Sequence, residues 1–366
     1  MLRPCAAGRT AMGKSAPPQR RLRILVALLM LLVLIAGGAF ALLSYNYEAP
    51  GPAARTERVQ VKAGDTLHAL FNRLSALGAL PHPRAVELYL RLTGVAPRME
   101  IGVYDIPAHS SPAQIVRMFQ EGRVVLDKLT VVEGMTFGQF LAELDADRDI
   151  VPSLRGKSDA AIMAALGHPA EQPEGRFFPD TYRFSPGTTD LTILRMAYDE
   201  MSAQLTQVWH ERRPGLPLAN PYQALILASM IEKETGVADE RARIAGVFVN
   251  RLRRNMPLQS DPTVIYALGD RYHGQLYARE LAVKSPYNTY LHTGLPPTPI
   301  CLPGLASLRA AVRPDKTRDL YFVATGKGGH HFSRTLAEHD VQLRKYIRQL
   351  RKDRLAERSR AAGPTP

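Results

Sequence analysis

Two glutamates, Glu232 and Glu234, close a helix that is otherwise apolar nearly all round, a placement that suits a carboxyl to acid–base chemistry. The stretch NPYQALILASMIEKETG (220–236) supplies Asn220 as N-cap, Pro221 at the first helical position and Gly236 just past the end. Ala224 to Ile231 offers no polar face, so the helix is expected to be buried. On helical geometry Glu234 continues the stripe of Leu227, Met230 and Ile231, whereas Glu232 follows Leu225, Ala228 and Ser229. Glu234 is therefore the carboxyl aimed along the greasier face. Desolvation there would raise its pKa toward neutrality, which a general acid requires. The plainer alternative leaves both glutamates solvated at the end of a buried helix.

The elements that must position this helix can be read from periodicity and caps. Long helices are expected over Leu191–Trp209, Pro221–Thr235 and Asp239–Arg254, and a shorter one over Thr263–Leu268. A Pro-rich loop, a strand Leu320–Ala324, a Gly turn and a basic amphipathic helix Val341–Arg354 follow. Upstream, LTVVEGMTFGQFLAEL (129–144) reads as a buried strand, a turn at Glu133-Gly134 and a helix begun at Thr136. EGRFFPDTYRF (174–184) reads as an aromatic loop and short strand. Asp261-Pro262 looks like an N-cap and first-turn proline, and Glu240 opens its helix where the dipole favours an acid. Tyr287, Asn288 and Tyr290, aromatic and amide side chains before a Pro-rich loop, suit stacking and hydrogen bonding to a ligand, or ordinary loop packing. Cys301, between Ile300 and Leu302, is expected to be a small buried apolar residue. His330 and His331 point different ways and have no carboxylate at ligand spacing, so no metal site is expected.

The location of this chemistry is set at the other end of the chain. Twenty uncharged residues, Ile24–Leu43, follow a segment with six basic residues and no acid. At about 1.5 Å per residue the run is long enough to cross a bilayer core, with the basic side retained in the cytoplasm. Cleavage as a signal peptide at Ala39-Phe40-Ala41 is the alternative, but the run is long for that purpose. Cys5 and Cys301 then lie on opposite sides of the membrane and cannot pair. Residues 46–57, rich in Pro, Ala and Gly, read as a short tether.

The net charge of +13 invites a nucleic-acid reading. Residues 1–23 carry +6 of it and residues 341–360 another +6, which leaves the body nearly neutral. No basic patch for phosphates is expected on that body, and hence no nucleic-acid partner. A 45% hydrophobic and 22% charged composition provides a core without disulfides.

VQVKAGDTLHALFNRL (59–74) resembles the start of a LysM module, a small fold that grips N-acetylglucosamine; an unrelated βα turn is the alternative. A wider resemblance covers nearly all of residues 58–350. The stretch from Leu227 to Gly269 is similar to the signature of the membrane-anchored endolytic murein transglycosylases, the YceG-like family. So are VVEGMTF (131–137), EGRFFPDTY (174–182), SPYNTYLHTGLPPTPICLPG (285–304) and YFVATGKGGHHF (321–332), in the family's order. The resemblance implies that Glu234 is catalytic and that peptidoglycan is cut between N-acetylmuramic acid and N-acetylglucosamine. The muramic 6-hydroxyl would close onto C1, leaving a 1,6-anhydro end without consuming water. It also makes Glu232, Asn250, Gln259, Asp261, Thr263, Tyr287 and Asn288 candidates for the sugar cleft, with Ser260 beside them. Of the paired histidines, the family's motif matches His330.

The expected architecture is α+β. It comprises a cytoplasmic basic segment (1–23), a transmembrane helix (24–43), a linker (44–57), a LysM-like α/β subdomain (58–125), a larger catalytic domain (126–350) and a basic disordered tail (351–366). The expected setting is the inner membrane, single-pass, with the catalytic domain periplasmic. The expected partners are glycan strands, the membrane and peptidoglycan synthases (penicillin-binding proteins), with no metal or organic cofactor. A non-catalytic glycan-binding scaffold and a hydrolytic muramidase are the competing functions.

Overall fold

In a computed structural model, which describes residues 18–62, 64–95 and 99–361, the chain divides at Val125 into two packed units. The first 17 residues (with Cys5), Ala63 of the expected turn and the last five residues of the expected tail lie outside the described residues.

The first unit opens with α1 (Pro18–Glu48), whose most apolar 18-residue stretch, within Leu22–Glu48, has mean hydropathy 2.8 and is not buried in the protein. The helix does not stop where the apolar run stops. After it come β1 (Glu57–Val61), α2 (Leu67–Ala76), α3 (Pro83–Thr93), β2 (Gly102–Ile106) and α4 (Pro112–Gln120). The β1 and β2 strands pair antiparallel, with Val59 opposite Tyr104. Thr66 starts α2 by accepting the Ala69 N–H at 3.2 Å, and Ser111 with Gln114 forms a reciprocal capping box on α4. Val59, Val61, Phe71, Leu74, Leu90, Tyr104, Ile115 and Phe119 make the core.

The expected linker over 44–57 is packed chain. The Gly51 N–H donates to the His109 carbonyl at 3.3 Å, and the His109 N–H donates to the Ala53 carbonyl at 2.8 Å. A Cβ on Gly51 would lie 2.4 Å from the Ser110 carbonyl oxygen. Gly51, which looks like flexibility in the sequence, is there for close approach.

The second unit runs β3 (Asp127–Thr130), α5 (Phe137–Ala146), β4 (Ile150–Val151), α6 (Asp159–Leu166), β5 (Thr181–Phe184), β6 (Thr188–Thr189), α7 (Asp190–His210), α8 (Pro221–Glu234), α9 (Arg241–Arg253), α10 (Asp261–Leu268), α11 (Leu305–Val312), β7 (Tyr321–Ala324), β8 (His330–Ser333) and α12 (Leu336–Ala361). Among the described residues the strands form two-stranded pairs: β3 with β5, β4 with β6, and β7 with β8. The architecture is mixed α/β. Phe137, Phe140, Phe177, Ile193 and Tyr198 fill one core between α5 and α7. The other is built around α8, whose residues Ala224 to Ile231 are all buried against α7, α9 and α11. Burying each Leu or Ile there contributes about 1.5–3 kcal/mol. The expected tail from 351 is instead the continuation of α12, which runs to Ala361.

Candidate active site

The end of α8 is where the site is built. Asn220 accepts the Gln223 N–H at 3.0 Å and Pro221 fills the first position, so the helix starts where the sequence places it. It ends at Glu234, with extended Thr235 as the cap; the exit needs no left-handed Gly236. Ser229, the polar residue of the buried stretch, is satisfied: its hydroxyl donates to the Ile226 carbonyl at 2.7 Å and accepts the Ile300 N–H at 3.0 Å. The helix is thereby fixed to the loop before α11.

Glu234 is half-buried, and its Oε1 accepts the Ser260 hydroxyl at 2.5 Å. Burial pushes its carboxyl up to about 7; the Ser260 hydrogen bond and nearby Arg251 pull downward, and the neighbouring Asp261 charge pushes upward. The negative end of the α8 dipole acts in the same upward direction. Among the described residues Oε2 has no hydrogen-bond partner. A protonated Glu234 would therefore hold Oε1 as the acceptor for Ser260 and present its proton on Oε2.

Ser260 is held from several directions. Its N–H donates to Thr289 Oγ1 at 3.0 Å, its carbonyl accepts Thr263 Oγ1 at 2.7 Å, and the two threonine hydroxyls are 2.9 Å apart. The preceding Gln259 has φ of 51°, a left-handed backbone unusual for a side-chain-bearing residue. The Gln259 N–H donates to the Thr289 carbonyl at 3.0 Å, and Arg251 Nη1 donates to its side-chain oxygen at 3.1 Å. Arg251, itself buried, also donates to the carbonyls of Pro257, Leu258 and Leu320. These bonds hold a strained turn against the carboxyl.

The sequence candidates separate into two groups. Gln259, Asp261 and Thr263 gather around Glu234 with Ser260. Asp261 is not the cap of α10: Ser260 occupies that position and turns its hydroxyl to Glu234 rather than to the helix. The exposed Asp261 instead accepts the Tyr290 hydroxyl at 2.5 Å. Glu232 is on the other side of α8, accepting the Gly304 N–H at 3.0 Å with Arg241 3.6 Å away. Asn250 spends its amide on the Thr317 and Asp319 carbonyls, both at 3.0 Å. It lines a cavity of about 530 Å³ whose lining includes neither Glu234 nor Ser260. Asn288 is fully buried, donates to the Leu281 and Val283 carbonyls and accepts the Tyr290 N–H, so it has nothing left for a sugar. Tyr287 bonds Thr298 at 2.8 Å. These four hold loops and helices in place.

Sequence reasoning missed a second perturbed carboxyl. Glu174 is 8% exposed; it accepts the Phe137 N–H at 3.0 Å and the Tyr266 hydroxyl at 3.2 Å. Burial raises it to about 7, against the pull of the Phe137, Tyr266 and Gly175 hydrogen bonds. Its position inside the aromatic stretch EGRFF was the signal available. Glu240, read from sequence as a dipole-favoured helix start, lies in a short 3₁₀ turn before α9 and clasps His330, side chain to side chain at 2.7 Å and through the His330 N–H at 2.8 Å. Among the described residues no three His, Cys, Asp or Glu side chains are grouped to hold a metal ion.

The YceG-like family's profile matches residues 59–345. The chain belongs to the YceG-like family. It is 30% identical over 335 residues to the endolytic murein transglycosylase of Bacillus subtilis (strain 168), covering 86% of this chain and 91% of that protein. An endolytic murein transglycosylase of Streptococcus pneumoniae (serotype 2, strain D39 / NCTC 7466) is 24% identical, over 88% of this chain and 65% of its own length. A crystal structure of a YceG-like protein from Listeria monocytogenes, 28% identical, covers 78% of this chain and 98% of its own with a TM-score of 0.48.

Proposed function

We propose that this YceG-like chain is an endolytic murein transglycosylase with Glu234 as its acid–base residue. The observation that carries the reading is one accessible carboxyl, raised to about 7, with one oxygen fixed by Ser260 and the other open. Protonated Glu234 gives its proton to the glycosidic oxygen between N-acetylmuramic acid and N-acetylglucosamine as the C1–O bond breaks. The muramic 6-hydroxyl then attacks C1 and returns its proton to Glu234. One bond breaks, one forms, no water enters, and the carboxyl ends as it began. An internal nucleophile explains how one carboxyl suffices where most glycosidases use two. Asp261, Gln259 and Tyr290, at the mouth beside Glu234, are the groups placed to meet the sugar.

The strand–helix–helix–strand order of residues 57–106, with its antiparallel pair, supports reading the first unit as LysM-like, with affinity for the same glycan. The helix α1 serves as a single-pass anchor in the inner membrane with its N-terminus cytoplasmic. There it would meet new strands beside the synthases that make them. Digestion of polymeric peptidoglycan by the full-length chain in detergent, with mass spectrometry of the fragments, tests the reaction. Fragments ending in 1,6-anhydro sugar are expected. Reducing ends would make the chain a muramidase, and intact glycan would make it a binding scaffold.

A further inference from the structure

The first unit presents an apolar flank at the level where α1 leaves its apolar run. Tyr89 of α3 stacks on two α1 rings, Phe40 at 5.9 Å and Tyr47 at 4.4 Å between centroids. Phe40 lies inside the Ile24–Leu43 run, about 4.5 Å before its end, and Tyr47 about 6 Å beyond it, on helical rise. A bilayer that accepts the run must therefore place Tyr89, and α3 with it, at its own edge. Tyrosine is favoured there because its ring is apolar and its hydroxyl is wet.

The outer flank of α3 has the composition for that place. Val86 and Leu90 face the core, while Leu88 and Leu92 are 48% and 60% exposed. Arg84, Leu88, Arg91 and Leu92 recur at helical spacing along one flank, next to the Tyr89 contact with α1. Both arginines are exposed, and neither makes an ion pair among the described residues. Leucines bordered by arginines form the pattern of a helix lying in a lipid interface. The stems of such arginines follow apolar surface while their heads reach phosphates.

We propose that this flank of α3 rests on the outer surface of the bilayer, with Leu88 and Leu92 in the headgroup boundary and Arg84 and Arg91 on lipid phosphates. The inference rests on the reading of α1 as a membrane span. It makes the first unit a membrane-seated collar, fixed in height and tilt, and not a module free on a tether.

The test uses the full chain with Cys5→Ser, reconstituted in nanodiscs containing phosphatidylglycerol; Cys301 is buried and stays. Single cysteines at Leu88, Leu92 and, within the run, Val33 carry an environment-sensitive fluorophore. Doxyl lipids labelled near the headgroup should quench the probes at Leu88 and Leu92, and lipids labelled deep in the chain should quench the probe at Val33. A quenched Val33 probe with the α3 probes untouched would overturn the inference and leave the span standing. So would α3 probes shielded from aqueous iodide yet deaf to doxyl lipid, because protein would then cover the flank. An unquenched Val33 probe would remove the span itself, and this inference with it. The double variant Arg84→Gln, Arg91→Gln should lower the quenching at Leu92 in both kinds of disc, and more in anionic than in zwitterionic ones; unchanged quenching in both would overturn the phosphate contact.

Discussion

Glu234 and Glu174 are both buried enough to be raised to about 7, yet their surroundings fit them for different work. Glu174 has both oxygens engaged, one by the Phe137 N–H and one by the Tyr266 hydroxyl, and almost no exposure. Glu234 has one oxygen engaged and one open at a half-buried position. A raised pKa marks desolvation. An oxygen left without a hydrogen-bond partner at a half-buried position is what lets the proton leave. Glu232, two residues from Glu234, has both of its oxygens turned to the fold: one accepts the Gly304 N–H and the other lies 3.6 Å from the Arg241 guanidinium, so it ties parts of the fold together.

The sharpest way to break this comparison is to neutralise each carboxyl. Glu234→Gln keeps the shape but has no proton to give. It should lower cleavage of polymeric glycan by about 10²–10⁴-fold with the fold retained, as read by fragment release and thermal unfolding. Glu174→Gln should leave fragment release within a few-fold. Comparable losses at both positions would erase the distinction.

Ser260→Ala sharpens it further. Losing the hydroxyl that fixes Oε1 should cost roughly tenfold in kcat, the scale of one hydrogen bond to an ionisable group. It should also move the alkaline limb of kcat/KM upward, because that bond favours the carboxylate. Asp261→Asn should move the same limb downward, since it removes a like charge that raises Glu234. The two opposite shifts are read from pH–rate profiles of the two variants against the parent. Movement in one direction by both would refute the assignment of causes.

The effect expected at Glu174 is on stability. Its folded pKa of about 7 lies above its ordinary value of 4.5, so the folded state binds the proton more tightly. The stability this contributes is full below about pH 4.5 and is lost as pH rises through 7. Glu174→Gln should therefore be relatively more stable than the parent at pH 8, with the advantage gone by pH 4.5, as read from denaturation midpoints at both values. The smallest effect on catalysis is expected from Glu232→Gln. It should lower the thermal midpoint by loosening Gly304 and Arg241 while kcat changes little.

The helix α8, which carries the candidate site, was legible in the sequence because its signals are local. Asn220 and Pro221 mark its start, and helical phase separates Glu234 from Glu232. What surrounds Glu234 was less legible, since Ser260 reaches it across 26 residues. The Asp261-Pro262 pair imitated a cap that geometry assigns to Ser260. Asn250 and Asn288 looked like sugar ligands because an amide's partners cannot be seen in a sequence; both spend theirs on backbone carbonyls. The helix α11 was not anticipated because LASLRAAV is short and has no side-chain cap at Gly304. The strand β8 was hidden in a glycine-rich turn whose partner strand alone gives it shape. The segment 49–57 misled in the opposite way, as small residues serve packing and flexibility alike.

Glu234 is proposed to give and retake a proton near neutrality. Carbon-13 NMR of glutamate side-chain carboxyls, comparing the parent with Glu234→Gln across pH, tests it most directly. Two resonances are expected to titrate close to pH 7, and the one that disappears in the variant is Glu234. A Glu234 resonance titrating near the ordinary carboxyl value of 4.5 would contradict it.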